Sequence, residues 1–133
     1  MRVQFRAEYP TQEVVDFLDS VDYPHEGWTV EMLQRIAFLC RIQTVDRKLV
    51  GYCWYTDVPD SYRIKEFHVA IDAPYRGRWI NRDTNRQVLE IARLLDAQIL
   101  LFSWRDPVPL SQMTSLGWTV EYPFAWRELE NGP

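Results

Sequence analysis

The segment Ile71-Asp72-Ala73-Pro74-Tyr75-Arg76-Gly77-Arg78-Trp79-Ile80-Asn81 joins the two most clearly patterned parts of this chain. Residues 62–71, before it, are rich in β-branched and aromatic side chains, which is typical of a strand. After it, residues 80, 84, 88, 91 and 95 have the spacing of one helix face, with arginines on the other side. The sequence therefore predicts a strand that passes directly into a regular helix.

The N-terminal part of the chain predicts one strand and two helices. Residues 3–5 alternate between apolar and polar side chains, as in a half-buried strand that ends at Pro10. Thr11 is the expected N-cap of the first helix. Thr29 opens a second, shorter helical pattern, and residues 20–28 form the loop between the two helices.

Three strands are expected between the second helix and the quoted segment. Residues 37–45 and 49–56 are β-rich and flank Asp46-Arg47-Lys48, which is the pattern of a hairpin with a short turn. A longer loop over residues 57–61 leads to the strand at 62–71. Three consecutive strands of this kind form an antiparallel meander.

The C-terminal part predicts a strand, a short helix and a final β segment. Residues 98–104 are an apolar run of the length of a buried strand. A short helix through Leu116 is closed by Gly117 at a C′ position. Residues 118–129 supply one or two last strands, broken at Pro123.

The order of elements is thus β-α-α-β-β-β-α-β-α-β. It predicts an α/β (α+β) fold in which a mixed, mostly antiparallel sheet is flanked by helices on both faces. No repeat, linker or low-complexity stretch interrupts the chain, so we expect a single domain over residues 1–133.

Composition excludes several classes of protein. The chain has 133 residues, of which 47% are hydrophobic and 14% aromatic, and this is far more apolar surface than a disordered segment carries. The net charge of −4 argues against a surface that seeks nucleic acid or an anionic membrane. No apolar run is long enough for a membrane helix or a signal peptide, which predicts a protein of the cytoplasm, or of a virion assembled in a host cytoplasm if a phage encodes it.

The metal-ligating and thiol side chains are few. Cys40 and Cys53 both lie in apolar β-like segments, so buried free thiols are expected in place of a disulfide or metal site. The two histidines, His25 and His68, are too far apart in the sequence to suggest a zinc constellation.

The quoted segment and the order of elements together resemble the GNAT superfamily of N-acyltransferases. In that family the end of the fourth strand reads V-x-P-x-Y-R-G-x-G-h-G, where h is apolar, and leads into a helix. The residues that match in register are Ile71, Tyr75, Arg76, Gly77, Arg78 and Ile80. A weaker match is the segment 113–118, where family members often read Y-x-x-L-G-F.

The resemblance implies a GNAT-like fold and acetyl-CoA as the acyl donor. Arg76, Gly77, Arg78 and Asn81 would hold the diphosphate at the start of the helix, where free N–H groups favour an anion. The backbone of Val69 to Ile71 would pair with the pantetheine arm. Two family glycines are replaced, by Trp79 and Asn81, and a Trp side chain there is expected to occupy space that the ligand needs.

The same resemblance implies a general base on the third meander strand. Glu66 is the first candidate and His68 the second, because side chains at i and i+2 of a strand point to one face. An ordinary exposed strand face also shows Glu and His, and this alternative stays open. Met113 stands where the family has its tyrosine acid, and Tyr62 and Tyr122 are the other tyrosines considered for that role.

Two functions follow as hypotheses. The first is an N-acyltransferase that moves an acetyl group from acetyl-CoA to an amine, with a degenerate cofactor loop. The second is a catalytically inactive GNAT-fold structural or interaction protein that binds protein partners in a larger assembly. Small divergent proteins of this fold resemble some that tailed bacteriophages encode, including virion components. The arginines from Arg76 to Arg86 would then contribute to a docking face.

Overall fold

The computed structural model describes residues 2–21, 29–103, 110–121 and 124–129. The strands are β1 (Val3–Ala7), β2 (Ala37–Thr44), β3 (Leu49–Val58), β4 (Ser61–Ile71), β5 (Ile99–Ser103), β6 (Thr119–Glu121) and β7 (Phe124–Glu128). The helices are α1 (Gln12–Ser20), α2 (Val30–Ile36), α3 (Arg82–Leu94) and α4 (Leu110–Ser115), with a 3₁₀ turn at Ala73–Tyr75. The predicted order of elements is confirmed, and the final β segment contains two strands.

The strands form one seven-stranded sheet in the order β1-β2-β3-β4-β5-β7-β6. Every neighbouring pair is antiparallel except β4 and β5, which are parallel. The helix α3 provides the crossover that a parallel pair requires. The prediction of a mixed, mostly antiparallel sheet is therefore confirmed.

Two apolar clusters cover the two faces of the sheet. The α3 face carries the alternate β4 residues Phe67, Val69 and Ile71, which pack with the apolar side of α3. The opposite face carries Tyr52 and Trp54 of β3, which pack with α1 and α2. Cross-strand neighbours share a face, so the alternation along each strand separates the two clusters.

Several boundaries differ from the sequence predictions. The helix α3 begins at Arg82 and does not follow the strand directly, because a 3₁₀ turn and an extended Asn81 intervene. Thr11 occupies the N-cap position of α1, but its side chain makes no capping hydrogen bond. The meander turn between β3 and β4 contains only residues 59–60, since both strands extend further than their sequence pattern indicates.

The outer edge of β1 is covered by one side chain of α3. Gln87 accepts a hydrogen bond from the Phe5 N–H at 3.0 Å and donates one to the Val3 carbonyl at 2.9 Å. A side-chain amide carries the same donor and acceptor as a peptide group. Gln87 therefore takes the place of a neighbouring strand at this edge, which would otherwise offer unpaired backbone groups.

Both cysteines are buried and their thiols are free, as predicted. Cys40 of β2 lies directly opposite Cys53 of β3 on the α3 face. Burial and the neighbouring Cys40 raise the pKa of the Cys53 thiol well above its usual range.

Within the described ranges, no helix is long and apolar enough to cross a membrane. No cluster of His, Cys, Asp and Glu among these residues has the composition of a metal site.

Candidate functional site

The sheet opens between β4 and β5 beyond Phe67. The two strands pair from Ile64 with Ile99 to Phe67 with Phe102, whereas β4 pairs with β3 up to Ile71. In the described part of the chain, His68 to Ile71 therefore have a strand on one side only. This backbone edge includes Val69 to Ile71, the residues that the resemblance assigns to the pantetheine arm.

The ring of Trp79 lies on the α3 face at the inner end of this opening. It is fully buried, and its centroid is 6.4 Å from that of Phe67. Phe67 in turn lies 5.6 Å from Phe102, and Phe102 lies 6.2 Å from Trp118. The side chain at the first substituted glycine position thus belongs to an aromatic core cluster and does not project from the loop into solvent.

The turn after β4 is built from local hydrogen bonds. The Asp72 carboxylate accepts a hydrogen bond from the Ala73 N–H at 2.9 Å and caps the 3₁₀ turn. Gly77 follows with a φ of 73°, a left-handed conformation that glycine adopts without strain. The match of Gly77 to the family pattern therefore has a conformational reason.

The Arg76 side chain binds two backbone carbonyl groups. Its Nε donates to the Ile71 carbonyl at 3.2 Å, and Nη2 donates to the Val21 carbonyl at 3.1 Å. The guanidinium therefore joins the end of β4 to the end of α1. Arg76 and Arg78 remain exposed, so both present positive charge at the mouth of the opening.

Asn81, at the second substituted glycine position, is the N-cap of α3. Its Oδ1 accepts from the Thr84 N–H at 3.0 Å, and its own N–H donates to the Thr84 hydroxyl at 2.7 Å. This capping box satisfies a donor that would otherwise be open to an anion at the helix start. The backbone N–H groups of Arg82 and Asp83, in the first turn of α3, have no acceptor within the helix. They remain as the donors that this helix start offers to an anion.

The charges along α3 are partly neutralised. Arg86 forms ion pairs with Asp83 at 2.7 Å and with Glu90 at 2.9 Å. The hydrogen bond from Arg86 lowers the pKa of the Asp83 carboxyl below its usual value. Arg86 therefore contributes less free positive charge than the sequence pattern suggests, and the exposed cations nearest the opening are Arg76, Arg78 and Arg82.

Glu66 and His68 share the α1 and α2 face of β4, as predicted. The His68 Nε2 lies 3.0 Å from the Thr56 hydroxyl and 4.0 Å from the Glu66 carboxylate, and the ring stacks on Trp54 with centroids 5.4 Å apart. The Glu66 side chain is 37% exposed and that of His68 16%. Glu66 is thus the more accessible of the two candidate bases, and His68 is held by packing.

Neither of the two tyrosines considered as a replacement acid has a described side chain. Met113 is fully buried in the core beside α3. Tyr122 lies outside the described residues, and the placement of the Tyr62 side chain is likewise outside them.

The sequence patterns did not indicate Thr56 and Trp54, the partners of His68. Their positions directly opposite Glu66 and His68 follow from the β3 to β4 register. The turn at residues 59–60 alone would not have placed them there, because the register shifts between Asp57 and Val58.

Comparison with known proteins identifies the fold. No protein-family model and no curated protein sequence matches this chain. Among solved structures, spermidine/spermine N-acetyltransferase SpeG from Vibrio cholerae superposes with a TM-score of 0.70 at 11% identity over 96% of this chain and 92% of that one. A protein assigned as a phosphinothricin N-acetyltransferase gives 0.64 at 15% identity, over 97% of this chain and 99% of that one.

A further structure, assigned as a GNAT-family acetyltransferase from Desulfovibrio desulfuricans, superposes with a TM-score of 0.63 at 14% identity. The match covers 97% of this chain and all of that one. The chain therefore has the GNAT acetyltransferase fold over its length, and at these identities the likeness is one of fold.

Proposed function

We propose that this chain is an N-acetyltransferase that transfers an acetyl group from acetyl-CoA to an amine. The observation that carries the proposal is the opening between β4 and β5, where the β4 edge from His68 to Ile71 leads to the exposed cations Arg76 and Arg78. A backbone edge suits an amide-bearing pantetheine arm, and the cations suit its diphosphate. The fold of its structural neighbours supports the same activity.

The residues beside the opening suit acetyl-CoA in part. Arg76 has guanidinium N–H groups beyond the two that bind backbone carbonyls, since the side chain carries five. Against this, Asn81 already caps the helix that would receive the diphosphate. We therefore propose that Arg76, Gly77 and Arg78 provide most of the phosphate contacts, and that the α3 N-terminus and Asn81 contribute less than in a glycine-rich loop.

In the proposed reaction, the amine nitrogen attacks the thioester carbonyl and the carbon–sulfur bond breaks. Glu66 accepts the proton that the amine loses, directly or through water. The coenzyme A thiolate leaves and takes a proton from solvent, because Met113 cannot donate one. Solvent is a weaker acid catalyst than a placed tyrosine, so we expect slow turnover.

The activity is tested by coenzyme A thiol release with a panel of primary amines, including spermidine, the substrate named for two structural neighbours. The variant Glu66→Gln should lower kcat by about 100-fold or more. Glu31→Gln, at an exposed carboxylate of α2, is the matched control and should leave kcat unchanged. Equal activity of wild type and Glu66→Gln would refute the role of Glu66 as the base.

A second function is supported by the three substituted family positions. Trp79 is a core residue, Asn81 is a helix cap and Met113 is buried, so each has a structural role. A catalytically inactive interaction protein, such as a bacteriophage virion component, would retain all three. This alternative predicts no thiol release with any amine and no shift of Tm with acetyl-CoA.

A further inference from the structure

A second cavity, of about 640 Å³, lies at the end of β1 and the start of β2. We propose that it binds a small organic ammonium ion, with the Glu8 carboxylate as the counter-ion. Its volume is in the range of small-molecule sites, roughly 300–1,000 Å³. Nothing in the proposed acetyl transfer uses this cavity.

The lining of the cavity is mainly apolar, with one charged group. Pro10, Phe38 and Leu39 supply aliphatic and aromatic surface, and Tyr9 adds a second ring. Phe38 is 39% exposed and Tyr9 86%, so both rings are accessible to a ligand in the cavity. Such a lining suits the hydrocarbon part of a ligand, and aromatic faces also favour a cation.

Glu8 gives the cavity its charge preference. Its Oε2 is buried, and it has no hydrogen-bond partner among the described residues. A buried carboxylate oxygen without a donor is costly, and a cation in the cavity that Glu8 lines would offset part of that cost. An ammonium group supplies both the donor and the opposite charge.

The nearest cations do not supply that donor. Arg6 and Arg41 line a smaller adjoining cavity, of about 280 Å³, that also includes Glu8. Arg41 is directed along β2, because its Nε donates to the Gln43 Oε1 at 3.1 Å and its Nη2 to the Arg47 carbonyl at 3.4 Å. The Glu8 Oε2 therefore has no donor among the described residues.

The cavity is separate from the opening between β4 and β5. Leu39 of the cavity lies opposite Trp54 of β3, and Trp54 lies opposite His68 of β4. At about 4.8 Å per strand, the two sites are on the order of 10 Å apart across the sheet. We therefore expect the cavity to bind its ligand without acetyl-CoA.

The test is isothermal titration with 2-phenylethylammonium in the absence of acetyl-CoA. We expect saturable binding, with 2-phenylethanol, the uncharged analogue, at least tenfold weaker. The variant Glu8→Gln should weaken ammonium binding at least tenfold. Glu31→Gln and Glu66→Gln should leave the affinity unchanged, and this separates the cavity from the proposed acetyl-acceptor site.

Three results would overturn the proposal: no saturable binding, equal affinity for the alcohol, or unchanged affinity in Glu8→Gln. Loss of binding in Glu66→Gln would place the amine at the candidate active site instead. The Tm of Glu8→Gln should equal or exceed that of wild type, because the variant removes the charge from a group that has one buried, unpartnered oxygen. A folded variant thus keeps the binding result interpretable.

Discussion

The ring of Trp79 lies 6.4 Å from that of Phe67, the last residue of β4 that pairs with β5. A residue in the loop that leads to α3 is thereby packed into the core at the point where the sheet opens. The position that would be a glycine in an ordinary acetyl-CoA loop is here part of the apolar core cluster on the α3 face. The contribution of the Trp79 ring should be measurable in the free energy of unfolding.

Truncation of this ring is expected to be severely destabilising. Trp79→Ala should lower the free energy of unfolding by about 3–5 kcal/mol, because it removes a fully buried indole and leaves a cavity. Urea unfolding measures the loss. Tyr9→Ala, at a ring that is 86% exposed, should change stability by less than about 0.5 kcal/mol. A similar small loss for Trp79→Ala would mean that the ring is not in the core.

The Asn81 cap predicts a difference between two small substitutions. Asn81→Ala should cost about 1 kcal/mol of unfolding free energy, because the Thr84 N–H loses its acceptor. Asn81→Gly should cost only a few tenths of a kcal/mol, since glycine is tolerated at N-caps. An unchanged free energy of unfolding in Asn81→Ala, measured by chemical denaturation, would show that the capping box does not stabilise α3.

The amide of Gln87 predicts protection of the β1 edge. Gln87→Ala leaves the Phe5 N–H and the Val3 carbonyl without their side-chain partner and should cost about 1–3 kcal/mol. Hydrogen exchange at the Phe5 amide should become faster. Arg93→Ala, on the exposed side of the same helix, is the control and should leave that exchange rate unchanged. Unaltered exchange in Gln87→Ala would contradict the edge-covering role.

The buried phenol of Tyr55 predicts a change in alkaline stability. Its hydroxyl donates to the Val88 carbonyl at 2.8 Å, and burial raises the pKa of Tyr55 well above its usual value. Above a pH of about 10, the unfolded chain loses the phenol proton and the folded chain keeps it, so stability falls as pH rises.

Tyr55→Phe removes both effects. At pH 7 the variant should be less stable by about 1 kcal/mol, because the hydrogen bond is lost. Between roughly pH 10 and pH 11 its unfolding free energy should fall less steeply than that of wild type, by up to about 1.4 kcal/mol per pH unit. Parallel pH profiles from urea unfolding would contradict the buried, neutral phenol.

Local patterns predicted the elements well because a strand buries every second residue and a helix buries one side. Each of these arrangements leaves a fixed period of apolar residues in the sequence. The meander, the regular helix and the short helix before Gly117 all have such patterns. Gly117 has a φ of 91°, which agrees with its predicted C′ position. The start of α3 was misplaced because Ile80 continues the apolar spacing, whereas the Asn81 and Thr84 side chains fix the cap one residue later.

The long-range features of the candidate site could not be predicted in the same way. Arg76 binds the carbonyl of Val21, which is 55 residues earlier in the chain. Trp79 was expected in the ligand space, but its direction depends on the packing of Phe67 and not on the loop sequence. No sequence pattern singled out Glu8, because a glutamate at this position is ordinary. What is unusual is that one of its carboxylate oxygens is buried without a partner among the described residues.

The central claim is that the opening between β4 and β5 binds acetyl-CoA through Arg76 and Arg78. Isothermal titration of wild type, Arg76→Ala and Arg93→Ala with acetyl-CoA tests it most directly. We expect saturable binding to wild type, the same affinity for Arg93→Ala, and at least tenfold weaker binding, about 1.4 kcal/mol or more, for Arg76→Ala. Absence of binding to wild type at millimolar acetyl-CoA, or equal affinity for all three proteins, would contradict the claim.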